Sequence, residues 1–274
     1  MPPDTRQSDA VRATFDSAAD HYDHPTQGHW TFTAEQTLAA AALQPGERVL
    51  DVCCGTGSTA IPGAKQVGPE GEVVGVDLSE AMLDLAREKQ RAEALANVRF
   101  EAGDLLALPH PDASFDVVLC QLGIFFLETP GEGVAALHRL VRPGGRLVLT
   151  TFRGPPLAPA AGLLREIIAE ETGESSGANA PNPVRAGATS SEEGMRTLAE
   201  ATGAEDVEID ACEHDVVLRR PEDFWPIALG GGARGLIDRL DDAVRERVRT
   251  RIVERLRADG IDRLRWNLLL TRIS

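Results

Sequence analysis

Three carboxylates in this 274-residue chain each close a strand-like run, and their spacing suits a single ligand. Asp51 ends Arg48-Val49-Leu50, Asp77 ends Glu72-Val73-Val74-Gly75-Val76, and Asp104 follows Val98-Arg99-Phe100-Glu101-Ala102-Gly103. Just past Asp51, Gly55-Thr56-Gly57 breaks the first run and Ser58-Thr59-Ala60-Ile61 can open a helix. Glycines there permit positive φ and a close approach to the main chain, while the free amides of the helix start favour a carboxylate or phosphate. Asp77 lies 20 residues past Gly57, the spacing at which an acid takes both hydroxyls of a ribose. The chemistry these residues describe is capture of a nucleotide-like ligand with an anionic end.

To stand on one edge, the three acids need a parallel sheet. Val49, Leu50 and Val52 read as a buried strand, Glu72–Asp77 as a second, Val98–Asp104 as a third and Phe115–Cys120 as a fourth. Pro143-Gly144-Gly145 is expected to turn tightly into a fifth, Arg146–Phe152. Helices separate them: Ser79 caps one that carries Met82, Leu83, Leu85 and Ala86 inward, and Glu132–Val141 forms another. Strands alternating with helices require a doubly wound α/β sheet. Ligands of such sheets sit at the carboxyl ends of the strands, which makes Gln121 a candidate contact. Leu78 and Met82 are placed to sandwich a base, although Met82 equally suits core packing. Phe125 and Phe126 are expected to pack a helix rather than line the pocket.

In order, Asp51 to Gly57, Asp77, Gly103-Asp104-Leu105, Phe115-Asp116-Val117-Val118 and Arg142-Pro143-Gly144-Gly145 resemble the motifs of the class I S-adenosylmethionine-dependent methyltransferases. The match covers roughly Arg48 to Phe152. Val11-Arg12 through Phe15, Ala18-Ala19 and Tyr22-Asp23 are similar to the small-molecule branch that includes ubiquinone and menaquinone methyltransferases. The resemblance implies a Rossmann-like, mostly parallel seven-stranded sheet, S-adenosylmethionine as cofactor and S-adenosylhomocysteine as product. It places Tyr22, Asp51, Gly55, Thr56, Gly57, Asp77, Leu78, Met82, Gly103, Asp104, Leu105 and Gln121 around the cofactor. Tyr22 would reach the methionine end, Asp51 would help hold its ammonium, Asp104 would accept from the adenine amine and Leu105 would open the loop covering the ring.

Gly55-Thr56-Gly57-Ser58-Thr59-Ala60 also fits G-x-G-x-x-A, the fingerprint of an NAD-dependent oxidoreductase. Against that reading, Asp51 would repel a pyrophosphate. A third reading is a protein that binds S-adenosylmethionine without transferring methyl, since fold does not fix the reaction.

The remaining chain divides into a helical cap over residues 1–44 and a methyltransferase domain over 45–274 with a helical insertion at about 221–260. Residues 1–7 read as disordered, Ser8–Tyr22 as one helix and Thr33–Leu43 as a second. The linker between them holds His21, His24 and His29, each either a general base for a hydroxyl acceptor or a solvated loop residue. Leu157–Glu171 reads as a helix, and residues 172–190 as a loop, lid or not. Val207–Ala211, Val216–Leu218 and Leu264–Thr271 supply further strands, resembling the family's final antiparallel pair. Leu236, Leu240, Val244, Val248 and Ile252 predict one long helix. It would clamp the substrate, form a homodimer seam or cover the sheet edge. Trp225 is a wall of the pocket or a core anchor.

Hydrophobic residues at 42% and charged residues at 26% are those of an ordinary globular protein. A formal charge of −15 argues against a nucleic-acid partner, whose backbone needs a basic footprint, and leaves a small-molecule substrate. No run reaches the roughly 18 apolar residues of a membrane span, and the first residues do not resemble a signal peptide, so a cytoplasmic location is expected. Cys53, Cys54, Cys120 and Cys212 form neither a disulfide framework nor a metal clasp, and no metal is expected.

Overall fold

The computed structural model describes residues 5–173, 187–204 and 206–274. Two helices, α1 (Thr5–Tyr22) and α2 (Gly28–Ala41), precede β1 (Arg48–Val52), α3 (Ala60–Val67), β2 (Glu72–Asp77), α4 (Glu80–Ala92) and β3 (Val98–Ala102). Then come β4 (Phe115–Gln121), α5 (Pro130–His138), β5 (Val141–Phe152), α6 (Ala160–Thr172), α7 (Glu192–Glu200) and β6 (Val207–Cys212). The chain closes with β7 (Asp215–Val217), α8 (Phe224–Leu229), α9 (Arg234–Ile237), α10 (Asp242–Ala258), β8 (Arg263–Arg265) and β9 (Leu268–Ile273).

The seven-stranded sheet runs β3-β2-β1-β4-β5-β9-β6, with only β9 antiparallel to its neighbours. Alternation along the strands divides the core. Val49, Val73, Val117 and Val148 face α2, α3 and α4, whereas Leu50, Val74, Val118 and Leu147 face α5 and α7. The order of strands reverses between β1 and β4, which opens a crevice at their carboxyl ends. Gly75 in β2 shows how tightly the first face is filled: a Cβ there would lie 2.6 Å from Phe100 and 3.0 Å from Cys54 Sγ. Gly75→Ala should therefore cost about 1–3 kcal/mol through overpacking. A urea titration reads this as a lowered midpoint; an unchanged one would mean that Phe100 has room to move.

Several expected elements differ. Helix α1 begins at Thr5, so Thr5–Gln7 are helical, while residues 1–4 lie outside the described residues, as does most of the 172–190 loop. Helix α2 starts five residues early, which puts His29 and Trp30 on a helix instead of in a linker. Strand β5 extends back through Pro143-Gly144-Gly145, absorbed by a register shift against β4. The expected strand at Leu264–Thr271 splits: β8 pairs with β7 in a separate two-stranded sheet, and β9 enters the main sheet between β5 and β6. The long helix also breaks, because the Asp241 side chain accepts from the Val244 amide and starts α10 afresh. That helix packs against α6, with Arg247 and Arg251 paired to Glu171, rather than over the pocket.

Buried contacts fix the two N-terminal helices. Arg146 in β5, 8% exposed, donates to Ala41 and Ala42 carbonyls and to both oxygens of Glu47, which ties down the end of α2. The second half of helix α1 is pinned at two points. Asp16 accepts from Ser79 at the start of α4, and Asp20 pairs with Arg234 of α9.

Candidate active site

A cavity of about 840 Å³ opens at the carboxyl ends of β1, β2 and β4, roofed by α1 and walled on the far side by α6, α8 and α9. It has two chemically distinct halves.

The first half holds polar groups presented by the strand ends. Asp77, at the end of β2, accepts from the Gly55 amide (2.8 Å) and the Ser79 amide (2.9 Å). These bonds aim the carboxylate and draw the turn after β1 onto β2. Burial raises the Asp77 carboxyl above its usual range, opposed by the amides of Ser79, Gly55 and Leu78. Asp104 caps a 3-10 turn, Leu105–Ala107, by accepting from the Leu106 amide, and its second oxygen accepts from the Ser8 hydroxyl of α1 (3.0 Å). Leu78, Met82 and Leu105 supply apolar surface between these acids.

The glycine turn is set by backbone geometry. Gly57 has φ of +80°, and a Cβ there would stand 3.0 Å from Ile61. The tip is pinned to the end of α1: Lys89 donates to the Thr56 hydroxyl (2.7 Å) and pairs with Asp23, to which Thr56 also donates. Tyr22 stacks on Trp30 with ring centroids 4.9 Å apart, and its hydroxyl stands beside Gly55. Burial, with Asp77 and Asp23 nearby, raises its pKa, so it remains a phenol.

Of the residues singled out from sequence, the cavity brings together Tyr22, Gly55, Asp77, Leu78, Met82, Gly103, Asp104, Leu105, Gln121 and His29. Gln121 is held there by the Thr37 hydroxyl of α2, 3.1 Å from its carbonyl oxygen. Asp51, Thr56 and Gly57 do not line it. Asp51 is fully buried on the α3 face, because its place in β1 points it away from the crevice. Burial pushes its carboxyl up to about 7, with the Thr59 hydroxyl and the Ala60 amide pulling the other way. His21 and His24 also stand outside the cavity, since the turn after α1 carries them past its rim.

The second half is aromatic. Five of the eight phenylalanines, the only tyrosine and two of the three tryptophans line the cavity. Phe125 and Phe126 belong to this wall, contrary to expectation, because the chain leaving β4 turns in a 3-10 segment that directs both rings to the crevice. Phe15 of α1 meets Phe126 edge-on at 5.4 Å. Trp266 is 2% exposed and donates to the Thr33 hydroxyl at 2.8 Å. Trp225, by contrast, packs in the neighbouring core and does not line the cavity. No sequence pattern marked Trp30, Phe152, Trp266 or Leu236 as neighbours, for they come from four separated segments.

His29 sits among these rings, 4.6 Å from Trp30 and 4.3 Å from Trp266 between centroids. It is 3% exposed, and its Nδ1 has no hydrogen-bond partner. Burial, and to a lesser degree His214, lowers its pKa to about 3. Among the described residues no group of three or more His, Cys, Asp or Glu side chains is arranged to hold a metal ion, and no helix is long and apolar enough to cross a membrane.

Residues 49–145 match a family model described as a methyltransferase domain. A demethylmenaquinone methyltransferase of Deinococcus radiodurans is 49% identical over 125 residues, covering 46% of this chain and 49% of that protein. Its counterpart in Geobacillus kaustophilus is 36% identical over 156 residues, covering 55% of this chain and 66% of that protein. The chain thus spans between about half and two thirds of the length of these curated relatives. Among solved structures, the YcgJ protein from Bacillus subtilis shares the fold with a TM-score of 0.59 at 19% identity, covering 88% of this chain and 97% of that one. The motif order, the sheet order and these matches lead to one conclusion: residues 49–145 form a methyltransferase domain, and the chain resembles the class I S-adenosylmethionine-dependent methyltransferases, the menaquinone methyltransferases among them.

Proposed function

We propose that this protein transfers a methyl group from S-adenosylmethionine to an O, N or C atom of a small, quinone-like aromatic molecule. The observation that carries the reading is the division of one cavity into a polar half built on Asp77 and Asp104 and an aromatic half next to it. The first suits a nucleoside, the second a flat apolar acceptor.

The residues present fit the cofactor. Asp77 offers remaining carboxylate lone pairs to a ribose, Asp104 lines the cavity with lone pairs for an exocyclic amine, and Leu78 with Met82 provides surface for a flat base. Bound there, S-adenosylmethionine supplies a methyl on a sulfonium that is electrophilic without further activation. The protein's task is to orient the acceptor and exclude water. Tyr22 and Trp30 close the cavity from the α1 side, and Phe125, Phe152 and Trp266 confine a ring plane. His29 accepts a hydrogen bond from an acceptor hydroxyl and thereby positions the nucleophilic atom.

The lowered pKa of His29 gives this role a signature. An imidazole with pKa of about 3 is uncharged throughout pH 5–8, so the step that uses it does not weaken as pH falls through that window. An ordinary histidine, ionising near 6.5, would. We expect any midpoint of kcat/KM between pH 5 and 8 to persist in His29→Ala, and that substitution to lower kcat/KM about tenfold without changing cofactor affinity. A midpoint near 6.5 that vanishes in His29→Ala would contradict this role.

Calorimetric titration with S-adenosylmethionine, S-adenosylhomocysteine and NAD tests the cofactor. Binding of the first two without the third supports the reading, and binding of NAD alone overturns it in favour of hydride transfer. Methyl transfer to reduced demethylquinones, followed with labelled cofactor, then separates an enzyme from a protein that only binds.

A further inference from the structure

The acceptor half of the cavity contains a charge that its surroundings leave unanswered. From Pro156 to the end of the chain, every described residue that lines the cavity is uncharged except Arg165 of α6. Its guanidinium forms no ion pair or hydrogen bond with any described residue. The neighbouring helix shows the opposite pattern: Arg247 and Arg251 of α10 are both engaged by Glu171, and Arg251 also by Glu170. The other cation on the cavity wall, Arg12 of α1, is paired with Asp9 at 2.8 Å. In a chain with formal charge −15, an unpaired arginine beside an apolar chamber stands out.

The cavity's carboxylates come from other segments than Arg165. Asp77, Asp104, Glu128 and Glu132 come from the ends of β2 and β3, the segment after β4 and the first turn of α5. An anion would be repelled there and drawn to Arg165. Arg165 is half-buried, so a pair formed with it is screened less than one on the open surface. A guanidinium offers planar, paired donors that match a carboxylate.

We propose that the methyl acceptor bears a carboxylate or equivalent oxyanion that pairs with Arg165, its ring lying among the aromatic side chains and its hydroxyl directed to His29. This deepens the reading of the cavity as a methyl-acceptor site and rests on it. Arg165 is a specificity residue that selects anionic over neutral acceptors of the same ring system and takes no part in cofactor binding.

The test uses two probes that differ only in the anion, 1-hydroxy-2-naphthoate and 1-naphthol, titrated by calorimetry into protein saturated with S-adenosylhomocysteine. The wild-type protein should bind the naphthoate about tenfold more tightly, Arg165→Gln should bind both alike, and Arg165→Lys should retain part of the preference. Affinity for S-adenosylhomocysteine should be the same in all three proteins. Equal or absent binding of the two probes by wild type, or a preference that survives in Arg165→Gln, overturns the proposal. So does a loss of S-adenosylhomocysteine affinity in Arg165→Gln, which would assign the guanidinium to the cofactor's own carboxylate. Failure of S-adenosylhomocysteine to bind the wild type counts instead against the cofactor reading, and the probe preference is then measured on the protein alone.

Discussion

Asp77→Ala should weaken S-adenosylmethionine binding by about 2–4 kcal/mol, roughly 30- to 1,000-fold. Three roles converge on this carboxylate. It receives the Gly55 amide, which holds the turn after β1; it receives the Ser79 amide at the start of α4; and it lines the cavity, where we propose that it takes the two ribose hydroxyls. Removing it takes away a charged acceptor and frees the glycine turn together. Asp77→Asn retains an acceptor and the shape, so its loss should be smaller. Calorimetry with S-adenosylhomocysteine measures both, alongside a urea midpoint to show that each variant is folded. A folded Asp77→Ala with unaltered affinity would remove the ribose assignment, and with it the main support for the cofactor's orientation.

Trp266→Ala is the second large effect expected, at about 3–5 kcal/mol of stability. The ring is 2% exposed and meets His29, Trp30 and Phe152, while its Nε1 donates to Thr33. Truncation leaves a void between α2 and the sheet and takes away one side of the aromatic chamber. Thr33 does not become an orphan, because its hydroxyl still donates to the His29 carbonyl at 2.7 Å. Trp266→Phe should therefore cost much less stability than Trp266→Ala. Denaturant titration of both variants, with naphthol binding as the functional readout, separates packing from recognition. A Trp266→Ala protein as stable as wild type would mean that the ring fills no essential space.

Helix α1 links these two halves. Its Ser8 hydroxyl engages Asp104, its Phe15 meets Phe126, and its Asp20 reaches Arg234 in the insertion. The helix thus touches the cofactor half, the acceptor half and the element that walls the latter. Such a roof excludes water once both ligands are in place.

The five parallel strands and the acids at their carboxyl ends are legible in the chain, whereas the split of Leu264–Thr271 between two sheets is not. Buried parallel strands read as short apolar runs, and each motif residue there lies within a few positions of a strand end, so local pattern fixes where Asp77 and Asp104 emerge. Asp51 marks the limit of that logic: one position along the strand decides which face a side chain takes, and the alternation of β1 turns it towards α3. The tertiary structure alone decided the acceptor half. Trp30, Phe126, Phe152, Arg165 and Trp266 come from different segments with no shared period, and only the packing of α1, α6 and α8 over the strand ends makes them neighbours. It also decided among the histidines, whose difference is burial: His29 is enclosed by aromatic rings on a helix that long-range contacts hold in place, and burial is a property of the assembled chain.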